Sequence, residues 1–143
     1  PYSAAEVLAA VASVRAAIEV CDTRFAAWAQ QGEWSRLADQ ACHGALVVGS
    51  GTAKVSTMRP LAQSATLSVN GSTVVQRATW GNPAGDPLRL LAWLANEGAL
   101  SLGGLRAGQW VTTGSCTGTV MVAPATVVVA DFPGLGRAEV RLG

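Results

Sequence analysis

The chain opens with apolar residues at helical spacing. Val7, Leu8, Val11, Val14 and Ile18 recur every three or four positions, and Ser3 with Glu6 forms the signature of a capping box. An amphipathic helix is therefore predicted over residues 3–18. A strand-like stretch follows through Glu19, Val20 and Cys21, and residues 34–40 have room for one or two helical turns. Residues 43–50 are rich in Val and Leu and carry Gly44 and Gly49 near their ends, the pattern of a buried strand.

The period then shortens to two. Residues 66–69 and 73–76 enclose Asn70-Gly71-Ser72, and Asn-Gly between alternating segments predicts a hairpin, because both residues tolerate the positive φ of a tight turn. Asp86-Pro87 predicts a helix start with Asp as N-cap and Pro in the first turn. Leu88, Leu91, Ala92, Leu94 and Ala95 supply its apolar face before Gly98. Beyond it the pattern predicts only strands and turns, with strands at 110–113, 119–122, 127–132 and 138–142. Strand runs with helices set apart predict an α+β class, a single domain over residues 1–143.

Composition narrows the functional classes. Half of the residues are hydrophobic and 13% are charged, enough for one compact core and too little chain for a second full domain. Ten basic and nine acidic residues leave a net charge of +1, and the basic residues are scattered singly, so no stripe exists to contact nucleic acid. The apolar stretch 120–130 is broken by Pro124 and Thr126 and falls short of the roughly 20 residues that span a bilayer, which predicts a soluble protein with no membrane partner. The three cysteines, Cys21, Cys42 and Cys116, lack Cys-x-x-Cys spacing and read as buried free thiols in a reducing cytosol.

Two segments carry candidate chemistry. In Glu19-Val20-Cys21-Asp22-Thr23-Arg24, strand alternation sends Glu19 and Cys21 to one face and Asp22 and Arg24 to the other. A carboxylate at a strand end suits a hard cation, and the Asp22/Arg24 pair is predicted to lock the adjoining loop. Carboxylates of this kind more often sit solvated at a surface. In Thr113-Gly114-Ser115-Cys116-Thr117-Gly118, small residues would let backbone N–H groups approach an anionic substrate, although the same residues also make an ordinary Gly-rich turn. His43 beside Cys42 does not form a nucleophile pair, since neighbours on a strand point to opposite faces. The five tryptophans are scattered, which predicts core and interface packing, with Trp93 in the core.

Three motifs in order carry a resemblance. Ala92-Trp93-Leu94-Ala95-Asn96, then Gly108-Gln109-Trp110-Val111-Thr112-Thr113-Gly114-Ser115, then Asp131-Phe132-Pro133-Gly134-Leu135-Gly136 resemble the 2-keto-4-pentenoate hydratase and 4-oxalocrotonate decarboxylase branch of the fumarylacetoacetate hydrolase superfamily. The resemblance covers the C-terminal part of a typical member. It implies a mixed β-roll with peripheral helices and a cytoplasmic, metal-dependent enzyme using Mg or Mn. The implied reaction is hydration of 2-keto-4-pentenoate-type 2-hydroxydienoates, or decarboxylation of a close relative, in aromatic-compound degradation.

The family's Glu-Ile-Val-Asp-Ser-Arg stretch matches residues 19–24, which implies Glu19 as a metal ligand. Its Gly-Ser segment implies Gly114 and Ser115 as contacts for a small 2-keto acid. The family's upstream Glu-x-Glu pair and Lys would lie before Pro1, and the only Lys here is Lys54. No catalytic residue is assigned for that reason. The resemblance implies either a homo-oligomeric enzyme or an inactive or partial chain that pairs with a complementing subunit. Where the family reads Ala-Asp-Asn-Ala-Ser-Ser-Gly, this chain has Ala38-Asp39-Gln40-Ala41-Cys42-His43-Gly44, which implies altered specificity or lost activity.

Overall fold

A computed structural model describes residues 1–79 and 81–143, with the side chain of Thr57 excepted. The described elements are α1 (Ala4–Ala9), β1 (Val14–Cys21), α2 (Glu33–Ala38), β2 (His43–Thr52), β3 (Ala65–Val69), β4 (Ser72–Arg77), α3 (Pro87–Trp93), β5 (Val127–Phe132) and β6 (Gly136–Arg141). They form an antiparallel pair, β1-β2, and an antiparallel four-stranded sheet in the order β4-β3-β5-β6. Helices and antiparallel sheets thus occur together, as the α+β reading requires.

The first predicted helix is cut short. Ser3 caps α1 as expected, its Oγ accepting from Glu6 N at 3.3 Å while Glu6 Oε2 accepts from Ser3 N at 2.8 Å. The helix ends at Ala9, and Val14 and Ile18 belong to β1. The reason lies in a second period within the same residues. Val14, Ala16, Ile18 and Val20 alternate with the exposed Arg15, Glu19 and Cys21, and the inward set includes Ala16 at 1% exposure. β-branched residues fit that pleated surface, and β2 supplies the ladder that an isolated helix would lack.

β2 forms where predicted but is half-buried along its length, so the expectation of a buried strand fails. Its task is to join the sheets. Ser50 Oγ accepts from Arg137 N at 2.9 Å, and a Cβ on Gly49 would collide with the Arg137 carbonyl, while one on Gly136 would collide with the Ser50 carbonyl. Glycine at both positions lets β2 and β6 approach backbone to backbone.

The β3-β4 hairpin turns through Asn70 and Gly71 at φ 48° and 82°, the left-handed pair that the sequence demands. Around it Leu67, Val128 and Ala130 form the buried centre of the core, with Ile18, Val75, Val120, Val122, Phe132 and Val140 packed against it. Asp86 caps α3 by accepting from Leu88 N at 2.9 Å, and the helix runs on into a π-helical turn over Leu94–Gly98.

Two predicted strands are absent. Residues 110–113 and 119–122 join no ladder, although Val120 and Val122 still reach the core. Gly108, Gly114 and Gly118, at φ 86°, 98° and 75°, break the extended backbone around them. No helix among the described residues is long and apolar enough to cross a membrane.

Candidate functional site

Gly114 is held in place by Asn82. At φ +98° its backbone is open to glycine alone, and a Cβ there would lie 2.7 Å from Asn82 Nδ2. Asn82 is 7% exposed, donates its amide to the Thr113 carbonyl and accepts from Ala84 N at 2.9 Å. A Cβ on Gly81 would likewise meet the Cys116 carbonyl. The Gly81-Asn82-Pro83 turn and the Gly114 loop therefore interlock through backbone, with one buried amide as the bolt.

The loop walls a cavity of about 660 Å³, within the range of small-molecule clefts. Gly114, Ser115 and Cys116 line one side, and Leu91, Trp93 and Leu94 line the other. Trp93 is thus not a core residue. Its side is 56% exposed, and its ring fits over Gly98, where a Cβ would fall 2.6 Å from Trp93 Cζ3. Of the other tryptophans, Trp34 is 79% exposed, Trp28 and Trp110 lie under the Arg36 and Arg15 guanidinium groups, and Trp80 lies outside the described residues.

Ser115 faces inward upon its own turn. Its Oγ accepts from Gly118 N at 2.9 Å and Thr117 N at 3.3 Å, and it donates to the Gly118 carbonyl at 3.4 Å. The hydroxyl fixes the shape of the loop in which the glycines sit.

Glu19 stands apart from this cavity's lining. Its Oε1 pairs with His43 Nδ1 at 2.8 Å, across the β1-β2 ladder in which Cys21 faces His43. Beside the pair, Asp39 is 4% exposed and accepts from Thr23 Oγ1 at 2.7 Å, Arg24 N at 3.2 Å and Arg24 Nη1 at 3.0 Å. Arg24 Nη2 also donates to the His43 carbonyl at 2.9 Å. The expected Asp22/Arg24 pair does not form: Arg24 turns to Asp39, and Asp22 accepts from Thr23 N at 2.8 Å. Asp39 is the better partner because the left-handed run Gln40, Ala41 and Cys42, at φ 55°, 52° and 63°, folds it back over the loop. The Thr23 hydroxyl first, and then Arg24, holds the Asp39 carboxyl below the usual carboxylate range against the opposing effect of burial.

The thiols do not read as activated. All three cysteines are free; Cys21 is exposed and the other two are partly exposed, which corrects the buried reading. Burial raises the Cys116 thiol above its ordinary value, and burial with the neighbouring Cys42 and Glu19 does the same to Cys21.

Comparison with known proteins decides the family. The family described as Fumarylacetoacetate (FAA) hydrolase C-terminal matches residues 2–142. The chain belongs to this family. This fumarylacetoacetate hydrolase-type chain is 33% identical over 135 residues to a 2-keto-4-pentenoate hydratase of Burkholderia vietnamiensis (strain G4 / LMG 22486), covering 94% of this chain and 51% of the relative. It is 33% identical over 132 residues to a 2-keto-4-pentenoate hydratase of Paraburkholderia phymatum (strain DSM 17167 / CIP 108236 / LMG 21445 / STM815), covering 92% and 50%.

Solved structures agree. A 4-oxalocrotonate decarboxylase from Pseudomonas putida G7 complexed with magnesium and adipate superposes with a TM-score of 0.82 at 28% identity, covering 96% of this chain and 52% of that one. The same enzyme complexed with calcium and acetate gives a TM-score of 0.79 at 28% identity, covering 96% and 51%. The chain spans about half the length of the relatives it matches.

A divalent cation, as in those two complexes, makes a definite demand on this chain. Mg prefers about six oxygen ligands in near-octahedral order. Among the described residues no group of three His, Cys, Asp or Glu side chains is arranged to hold a metal ion, and Glu19 is already bonded to His43. The described residues alone do not fit such an ion.

Sequence reasoning singled out Glu19, Gly114 and Ser115 and missed Asn82 and the Glu19-His43 pair. Asn-Pro after Gly81 was a legible turn signal for Asn82. The Glu19-His43 pair depends on the β1-β2 register, which single-sequence patterns do not specify.

Proposed function

We propose that this chain takes part in hydration of 2-keto-4-pentenoate-type 2-hydroxydienoates, or in decarboxylation of a closely related keto acid, in aromatic-compound degradation in a reducing cytosol. The observation that carries this reading is the open cavity walled by the interlocked Gly114 loop, in a chain that aligns with a hydratase over 94% of its length. Gly114 and Ser115 shape the wall against which a small 2-keto acid lies, and the apolar side chains of α3 take its carbon chain. Mg or Mn would polarise the keto acid, with Glu19 as one ligand and a complementing subunit supplying the others. The two sheets form part of the mixed β-roll of the relatives.

A second reading, in which the chain is an inactive structural partner, draws on the exposed apolar side chains. Trp34, Leu102 and Met121 are 79%, 84% and 90% exposed, as residues of a subunit interface would be in the isolated chain.

One assay separates the readings. The chain is incubated in Mg or Mn with 2-hydroxypenta-2,4-dienoate, alone and with the half of the Burkholderia vietnamiensis hydratase that it does not match, while the dienoate absorbance is followed. Loss of absorbance only in the mixture is the expected result. Turnover by the chain alone would overturn the need for a complement, and neither turnover nor saturable dienoate binding in either sample would favour the structural reading.

A further inference from the structure

The cavity beside the Gly114 loop has one charged side chain in its lining, Arg77. It ends β4, and its Cγ lies 3.5 Å from where a Gly81 Cβ would stand, so its stem follows the turn that Asn82 anchors. Arg24, Arg89 and Arg137 are bonded elsewhere, to Asp39, the Ala84 carbonyl and Glu139, and no other arginine is among the described residues that line the cavity. The Arg77 guanidinium has no hydrogen-bond or ion-pair partner among the described residues, and no Asp or Glu is among those that line the cavity.

The other polar groups there are already used. Asn82 bonds to Thr113 and Ala84, and the Ser115 hydroxyl bonds to its own loop. The opposite wall, from Leu90 to Leu94, is largely aliphatic and aromatic. An uncompensated guanidinium beside an apolar wall selects a ligand with an anionic head and a short apolar body, because a carboxylate can take two parallel N–H bonds from the planar fork.

We propose that Arg77 is a specificity-determining residue of this cavity, anchoring the carboxylate of a short aliphatic acid whose carbon chain lies against Leu91, Trp93 and Leu94. The proposal rests on the reading of the cavity as the substrate site and adds what selects the ligand within it. It needs no cation, so it stands or falls separately from the metal chemistry.

The test is calorimetric titration of the 143-residue chain in EDTA with adipate, hexanoate and hexane-1,6-diol, repeated on Arg77→Gln and Arg77→Lys. Adipate and hexanoate are expected to bind, the diol at least tenfold more weakly. Arg77→Gln should lower affinity for both acids about tenfold, as loss of a charge-assisted pair implies, and leave the diol unchanged. Arg77→Lys should retain part of the affinity. Since Arg77 is exposed, the melting temperature of both variants should match the parent, which separates loss of the anchor from loss of the fold. Acid binding unaffected in Arg77→Gln, or diol binding as tight as adipate, would overturn the proposal. Acid binding in EDTA combined with failure of the dienoate assay would retain Arg77 as the anchor while refuting the catalytic reading.

Discussion

The Gly114 cavity and the Glu19 corner are built in opposite ways. The cavity is backbone architecture: glycines at positions where a Cβ would collide, one buried amide between two turns, and a hydroxyl spent on closing its own loop. The corner is side-chain architecture, in which Glu19 meets His43 and Asp39 gathers Thr23 and Arg24. The first leaves a concave space with an unpaired cation at hand. The second consumes its charges in mutual bonds. Backbone geometry alone therefore keeps a concave space here, while no set of three metal-ligating side chains is gathered among the described residues.

If the cavity is a backbone construction, its glycine should be its most sensitive position. Gly114→Ala adds left-handed strain and a clash with Asn82, and about 3 kcal/mol of stability should be lost. Chemical denaturation measures this, and the β1-β2 corner should keep its hydrogen-exchange protection until global unfolding. A loss under about 0.5 kcal/mol, the ordinary scale of a neutral surface change, would contradict the interlock.

Asn82→Ala comes next. It leaves the Thr113 carbonyl and Ala84 N–H without their partner, which should cost about 2 kcal/mol and weaken adipate binding by loosening the loop. Asn82→Asp sharpens the comparison further, because it places an acid in a cavity that now has none and should repel carboxylate ligands without removing the Ala84 bond.

Ser115→Ala should cost about 1 kcal/mol, since the hydroxyl holds Gly118 N and Thr117 N in a partly solvated turn. If Ser115 serves the loop alone, acid affinity falls little more than this loosening explains. A much larger loss would show a direct ligand contact.

The smallest effect belongs to the corner, because its Arg24 partner is solvent-exposed and screened. The Asp39 carboxyl is depressed in the fold, so its contribution is present above the ordinary Asp value of about 4 and is lost as pH falls through the lower folded value. Asp39→Asn should be less stable than the parent near neutral pH, with the difference shrinking in acid. Stability curves for the two proteins that run parallel down to pH 2 would contradict this assignment.

The sequence made the cavity more legible than the corner for the same physical reason. Glycine, Asn-Gly and Asp-Pro impose local backbone geometry, so the hairpin at Asn70, the cap at Asp86 and the Gly114 loop could be read from neighbouring residues alone. Arg24 to Asp39 and Glu19 to His43 join residues far apart in sequence, through a strand register and a left-handed run at Gln40–Cys42 that local propensity does not favour. The overlong first helix has a related cause. Val14 and Ile18 satisfy both helical and strand periods, and only β2 decides between them. The unpaired segments at 110–113 and 119–122 show the reverse: alternation marks Val120 and Val122 as facing the core, but a strand also needs a ladder, and neither segment joins one.

The most direct test of the contrast is calorimetric titration of the chain with Mg or Mn in the presence of oxalate, a 2-keto acid mimic, beside Glu19→Ala. No saturable cation binding in the millimolar range that distinguishes the two proteins is expected, because Glu19 is engaged by His43 and, among the described residues, two further ligands are not gathered around it. Tight binding lost in Glu19→Ala would contradict it and show that this chain assembles the cation site by itself.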